Sequence, residues 1–331
     1  MRRMTSTITS TITTDQVLEL YPFAATDYYL ALAKADNDPI MRQLTPSMEE
    51  LADYSGLKED PLAEEELSPV PGLVHRYPDR VLMIVTNICF MNCRHCTRKR
   101  LWKHGRRAAS LSDLERMVEY IKEHAEIRDV IVSGGDPLTL SDGLLDNILK
   151  QVRQIPHVEI IRLGTRAPVV FPARITTKLV SLLKRYRPIW LNVQFNHVQE
   201  VTEDAKNAIL RILEAGIPVN NQTVLLKGIN DTVFEMKQLC QALLKIGVRP
   251  YYLFHCDPVA GVGHFRTSIS KGLEIIAGMR GHTSGLAVPT YVVDAIGGGG
   301  KIPLQPDYCL RQGDDFILSN YQGRSFRYKE G

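Results

Sequence analysis

Residues 87–107 read NICFMNCRHCTRKRLWKHGRR. Three thiols, Cys89, Cys93 and Cys96, stand there in a C-x3-C-x2-C spacing, and a run of basic residues follows. The stretch comes directly after VLMIVT (81–86), an apolar β-branched run of strand length, so the thiols belong on the loop leaving that strand. Five more runs of the same kind follow: DVIVSG (129–134), VEIIRLGT (158–165), IWLNVQF (189–195), VNNQTVLL (219–226) and PYYLFH (250–255). Segments of helical period separate them. In SLSDLERMVEYIKEHA, Leu111, Leu114, Met117, Val118 and Ile121 recur behind a Ser112…Glu115 capping box. In TEDAKNAILRILEAG, Ile209, Ile212 and Leu213 share a stripe that Gly216 ends.

Strands joined by helical crossovers lie parallel, and such sheets gather their chemistry at the strands' C-terminal ends. Six units are too few for eight-fold closure. The expected fold is therefore α/β, a partial (βα)6 TIM-like barrel over residues 81–285. A flexible N-terminus (1–14) and a helical region (15–80) ending in the SPVPG linker precede it. Residues 286–331 follow, with YVVDAIGGGGK and a hairpin expected around Gln322 and Gly323.

The 331 residues are 44% hydrophobic, enough for a large core. Forty basic against 37 acidic residues leave a net charge of +3, which gives no general attraction to nucleic acid or membrane. Six cysteines, half of them in one cluster, do not form a disulfide framework. The opening MRRMTSTITSTITT has no apolar signal core, and no run of about 18 apolar residues occurs. These features point to a cytoplasmic protein. The basic run keeps open a second class, a zinc-stabilised RNA-binding module with Trp102 stacking on bases.

A structural zinc site wants four protein ligands, yet Cys240, Cys256 and Cys309 stand apart and only His104 is near enough in sequence to complete a set. Three thiolates suffice for a [4Fe-4S] cluster with one iron left open. The spacing is similar to the signature of radical S-adenosylmethionine (SAM) enzymes, in which that iron binds SAM. In SGGDPL (133–138), Gly134 and Gly135 permit close backbone approach and Asp136 offers a carboxylate to an ammonium group, although the same residues also make an ordinary turn. The four glycines before Lys301 read either as a linker or as backbone amides near a phosphate, with the amine reaching a carbonyl. Pyridoxal 5′-phosphate (PLP) would use both features.

CRHCTRKR (93–100), LGTRAPVVFPARI (163–175), FHCDPVAGVGHFRT (254–267), RGHTSG (280–285) and VVDAIGGGGK (292–301) together resemble the lysine 2,3-aminomutase family, from about Tyr28 to the C-terminus. The resemblance implies an isomerase that interconverts L-lysine and L-β-lysine by a 2,3-amino shift, started by a 5′-deoxyadenosyl radical. It implies a [4Fe-4S] cluster on Cys89, Cys93 and Cys96, and SAM near His95, Gly134, Gly135, Asp136 and Gln222. PLP would be carried by Lys301, with Arg76, Tyr77, Gly298, Gly299 and Gly300 around it. Arg98 would grip the substrate's α-carboxylate, while Asp257 and Asp294 would take its side-chain ammonium. Two unpaired carboxylates at one pocket repel each other until a cation arrives. In the glutamate branch those positions are not both acidic.

Expected partners are a small amino acid, an electron donor such as flavodoxin or ferredoxin, and a second copy of the chain, but neither nucleic acid nor membrane. The sequence departs from the family at Gln194, where a histidine is expected, and it lacks the cysteine-rich C-terminal extension, so no zinc is expected. Alternative substrates are arginine, glutamate, or a lysine of a translation factor.

Overall fold

The computed structural model describes residues 15–312 and 315–329; the expected flexible segment 1–14 lies outside them. One sheet holds nine strands in sequence order, namely β1 (Leu73–Tyr77), β2 (Arg80–Ile84), β3 (Asp129–Ser133), β4 (Ile160–Gly164), β5 (Ile189–Val193), β6 (Val219–Leu225), β7 (Arg249–His255), β8 (Thr290–Ala295) and β9 (Gly300–Leu304). From β2 to β8 every neighbour is parallel, and β1 and β9 pair antiparallel at the two edges. The helices α1 (Leu111–Glu123), α2 (Asp142–Arg153), α3 (Thr177–Lys184), α4 (Glu203–Glu214), α5 (Val233–Lys245) and α6 (Ile269–Met279) connect successive parallel strands.

The six strands expected from sequence are β2 to β7, and the barrel stands as read. The sheet then extends further than expected, through β8 and both antiparallel arms. Those arms carry weak sequence signals for a physical reason. β1 is joined to β2 by two residues and needs no crossover helix. β9, GKIPL, contains a glycine and a proline, which only an edge strand tolerates well. No β1–β9 ladder closes the barrel. Side chains bridge the gap instead: the Lys301 N–H donates to the Tyr77 hydroxyl at 2.8 Å, and Arg76 pairs with Asp294 at 3.3 Å.

Alternation along the strands separates two compartments. In β3, Val130 and Val132 are fully buried on the helix side, while Ile131 and Ser133 line a cavity inside the barrel. In β6, Thr223 and Leu225 are buried, while Gln222 and Val224 line the cavity. Helix α1 buries Leu114, Met117, Val118 and Ile121, but its cap is Ser110 with Asp113, not Ser112 with Glu115. Ser110 is where the backbone leaves the extended region, so the helix starts there and Leu111 turns outward, 63% exposed. Gly216 follows α4 at φ +72°, as its position in the sequence predicts. The expected C-terminal hairpin is present: β10 (Cys309–Gln312), β11 (Asp315–Ser319) and β12 (Ser325–Lys329) form a separate antiparallel sheet. Among the described residues, no helix is long and apolar enough to cross a membrane.

The region before β1 contributes short helices at Asp27–Leu30 and Pro39–Leu44 and a 3-10 turn at Met48–Leu51. Their residues clamp the cysteine loop. Glu50, buried, accepts from Arg94 Nε at 2.9 Å, from Arg94 Nη2 at 2.6 Å and from Lys99 Nζ at 2.6 Å. The Arg94 N–H also donates to the Gln43 carbonyl at 2.9 Å. Removing the carboxylate strands two buried cations, and breaking such a set costs about 3–5 kcal/mol. Glu50→Ala should therefore lower unfolding free energy by about that much in urea titrations at neutral pH. A loss below about 1 kcal/mol, the range of an exposed pair, would show that the set is not a buried clamp.

Candidate active site

The strands' C-terminal ends open onto a cavity of about 390 Å³. Cys89, Cys93, His95, Cys96, Arg98, Gly134, Gly135, Asp136, Gln222, Arg76, Tyr77, Asp257, Asp294 and Lys301 all line it. Fourteen of the seventeen residues singled out in the sequence are thus brought to one place. The exceptions are Gly298, Gly299 and Gly300, which do not line the cavity. They build the tight connection between β8 and β9, where Gly298 and Gly300 take φ of +80° and +82°. A Cβ on Gly298 would lie 2.3 Å from Leu67. The glycines therefore serve the turn, and the turn sets Asp294 opposite Lys301 in the ladder.

Gly134 and Gly135 are required by proximity. A Cβ on either would fall 2.1 Å from the Thr86 carbonyl oxygen or 2.4 Å from that of Ile88, at the root of the cysteine loop. The N–H groups of Gly135 and Asp136 donate to those two carbonyls at 2.7 and 2.8 Å. Asp136 is buried, and burial raises its carboxyl pKa despite donation from Thr165 and the backbone N–H of Leu138 and Arg166. Its oxygens are already engaged by the protein, so an ammonium group would join a populated carboxylate.

The cysteines are all free thiols. Burial, then the neighbouring Cys93, raises Cys96 to about 11, and burial pushes Cys89 well up. Iron would supply the positive charge that thiolates need in such surroundings. The sulfurs also receive donors: Arg98 N–H reaches Cys96 Sγ at 3.3 Å and Arg166 Nη1 reaches Cys93 Sγ at 2.8 Å. A polynuclear cluster, which spreads its ligands over several metal atoms, suits this donor set.

His95 has a definite tautomer. Arg166 Nη2 can only donate, so the Gln43 oxygen it meets at 2.6 Å is an acceptor, and that same oxygen takes the Asn196 amide at 3.0 Å. The Val224 N–H marks the other Asn196 atom as oxygen, at 3.0 Å. The Asn196 amide therefore donates to His95 Nε2 at 3.2 Å, with Gln194 alongside at 3.3 Å. Nε2 is an acceptor and the proton sits on Nδ1, a buried atom without a partner among the described residues. Burial, then Arg166 and Lys99, also keeps the ring neutral by pulling its pKa well below the usual value. Gln194, at the position where a histidine was expected, places its side-chain amide beside His95 Nε2.

The charged groups are paired more fully than expected. Arg98 is bound by Glu64 through Nε at 2.9 Å and Nη2 at 2.6 Å. Burial alone would raise Glu64, but Arg98 and Arg100 hold it down at about 2. Asp294 is not an unpaired carboxylate: Lys301 Nζ lies 3.1 Å from it and Arg76 3.3 Å. Asp257 makes no ion pair among the described residues and accepts from Thr97 at 2.5 Å. Burial, with Asp294 adding to it, raises Asp257 to about 6. Arg76 Nε is buried and unpartnered next to Lys301, and the Lys301 ammonium lies 5.1 Å from the Phe254 ring centre. An amine, an unpaired guanidinium donor and an aromatic wall fit a phosphorylated aromatic aldehyde such as PLP.

Glu64 and Arg166 were not legible in advance. Glu64 sits in a run of three glutamates with nothing to single it out, whereas Arg166 lies just past the end of a strand, where a site residue is expected.

The radical SAM superfamily profile matches residues 83–240, and the lysine-2,3-aminomutase profile matches residues 276–331. L-lysine 2,3-aminomutase of Clostridium subterminale is 49% identical over 318 residues, 95% of this chain and 76% of that protein. The chain belongs to the lysine 2,3-aminomutase family. Glutamate 2,3-aminomutase of Clostridioides difficile is 44% identical over 94% of this chain and 74% of its own length. Among solved structures, Streptococcus suis SuiB bound to S-adenosylmethionine aligns with a TM-score of 0.49 at 13% identity, over 66% of this chain and 51% of that one. The protein is a radical SAM isomerase that acts on a small amino acid, and membership in this family implies a [4Fe-4S] cluster and SAM.

The tautomer is open to direct measurement. Long-range 15N–1H spectra of imidazole-labelled protein should show His95 protonated at Nδ1 only, with no titration between pH 5.5 and 8, a window set about the ordinary histidine pKa of ~6.5. A proton on Nε2, or a pKa near ~6.5, would overturn the chain of donors traced from Arg166.

Proposed function

We propose that this enzyme moves the amino group of L-lysine between its α- and β-carbons, with PLP as a second cofactor. The observation that carries the choice of substrate is Asp257, a buried carboxylate that makes no ion pair among the described residues, in the same cavity as Asp294 and the cysteines. A side-chain ammonium relieves both carboxylates, whereas a glutamate side chain would meet repulsion. At about 4 Å and an effective dielectric of about 20, each charge pair interacts by roughly 4 kcal/mol before desolvation is subtracted.

When bound, SAM on a reduced cluster supplies a carbon radical able to take hydrogen from an unactivated carbon, and PLP holds the migrating nitrogen. Cys89, Cys93 and Cys96 would hold the cluster, and Lys301 would hold PLP with Arg76 and Tyr77 beside it. Lys301 and Arg76 satisfy Asp294 here, and a substrate ammonium would reach that carboxylate by exchanging places with the Lys301 amine. Arg98 would present the outer edge of its guanidinium to the α-carboxylate, since Glu64 occupies the Nε edge. A low-potential one-electron donor such as a flavodoxin or ferredoxin completes the system.

Cluster-reconstituted protein with SAM, PLP and dithionite, given lysine, arginine, glutamate and alanine together without oxygen, should form β-lysine alone by mass spectrometry. Another β-amino acid would overturn the assignment of Asp257 and Asp294. Asp294→Ala should lower kcat/KM for lysine by about 30-fold or more, the effect of truncating a buried charge partner by about 2 kcal/mol or more, while SAM affinity is kept. An equal loss in both would indicate general damage.

Asp257 also sets an acid limb. Its folded pKa of about 6 lies above that of a free aspartate, so between the two values the folded protein carries the extra proton. Below about 6 the carboxyl is neutral and its attraction for an ammonium is lost, so kcat/KM for lysine should fall as pH drops through that value. Asp257→Asn should flatten this limb. Its persistence in the variant would assign it to another group.

A further inference from the structure

We propose that Arg166 is a positioning residue for the iron–sulfur cluster, its guanidinium setting the ease of one-electron reduction through the bond to Cys93 Sγ and its backbone tying that sulfur to Asp136. The inference rests on the cluster reading above and deepens it.

Arg166 stands two residues past β4 and is 7% exposed. Every edge of its guanidinium is held. Nε donates to the Gln194 carbonyl at 3.1 Å, Nη1 to Cys93 Sγ at 2.8 Å, and Nη2 to Gln43 Oε1 at 2.6 Å, Glu200 Oε1 at 2.7 Å and Tyr29 OH at 3.3 Å. The backbone N–H of the same residue donates to Asp136 Oδ2 at 2.8 Å. A side chain fixed in so many directions cannot swing away when the charge on the sulfur changes. Of the three sulfurs, Cys93 alone among the described residues accepts from a charged side chain; Cys96 receives a backbone N–H.

Reduction adds one electron to the cluster, taken from a donor that is oxidised by one, and no protein bond forms or breaks. A fixed cation donating to a ligand sulfur favours the more negative form, and hydrogen bonds and net charge near the sulfurs are established determinants of cluster potential. Glu200, buried and bonded to Arg166, opposes that field from the other side. The two residues should therefore act in opposite directions, which a merely structural ion pair would not do.

The test is an EPR-monitored titration with dithionite and mediators on anaerobically reconstituted full-length protein, comparing wild type with Arg166→Gln, Arg166→Lys and Glu200→Gln at measured iron content. At a fixed potential, the reduced-to-oxidised ratio should fall at least tenfold in Arg166→Gln, about 59 mV for a one-electron couple. It should fall less in Arg166→Lys and rise in Glu200→Gln. Ratios within twofold of wild type at equal iron, or shifts in the same direction for the Arg166 and Glu200 variants, would overturn the proposal. If Arg166→Gln loses its cluster, the lysine variant and Glu200→Gln decide the matter by the sign of their shifts. Failure of the wild type to take up iron and show a cluster signal is a separate outcome, which would overturn the cluster reading itself.

Discussion

The carboxylate of Glu50 holds two cations of the cysteine loop in a place that water does not reach. Arg94 lies between the second and third thiols and Lys99 just beyond them, so one buried anion fixes the loop from both sides. Without that anion, the loop would have to expose two charges and would lose its shape. The short helices before the barrel thus owe their position to charge as well as to packing. They are the floor on which the cysteines are arranged.

The same logic runs through the cavity. Arg98 is matched by Glu64, Arg166 by Glu200, and Lys301 with Arg76 by Asp294. Desolvated charges are tolerated only in such sets. A zwitterionic amino acid with a further ammonium would therefore bind by exchanging partners as well as by filling space. Asp257 departs from this pattern. Among the described residues it makes no ion pair, and burial, with Asp294 adding to it, raises its pKa.

Much of the barrel was legible because its signals are local. A β-branched run of strand length followed by a helix of period 3.6 identifies a unit without reference to the rest of the chain, and all six units were found this way. The arms β1 and β9 escaped because an edge strand needs no continuous apolar run. The cap of α1 was misplaced by two residues because Ser110 and Ser112 offer equivalent hydroxyls, and only the backbone decides between them. The glycines before Lys301 read either as a linker or as a phosphate cradle, and three of them, Gly297, Gly298 and Gly300, adopt positive φ at the β8–β9 turn.

What the sequence determined by itself was the chemistry of short spacings. Three thiols within eight positions imply a shared centre through groups that are neighbours along the chain, and the strand and helix periods imply the parallel sheet in the same local way. Only the tertiary structure could decide which charges are partnered. Arg98 meets a glutamate 34 residues away, Arg76 an aspartate 218 residues away, and the tautomer of His95 is traced to an arginine through two amides. Charge pairing in a low-dielectric interior depends on distance in space, and sequence separation carries no information about that distance until the sheet has brought the strand ends together.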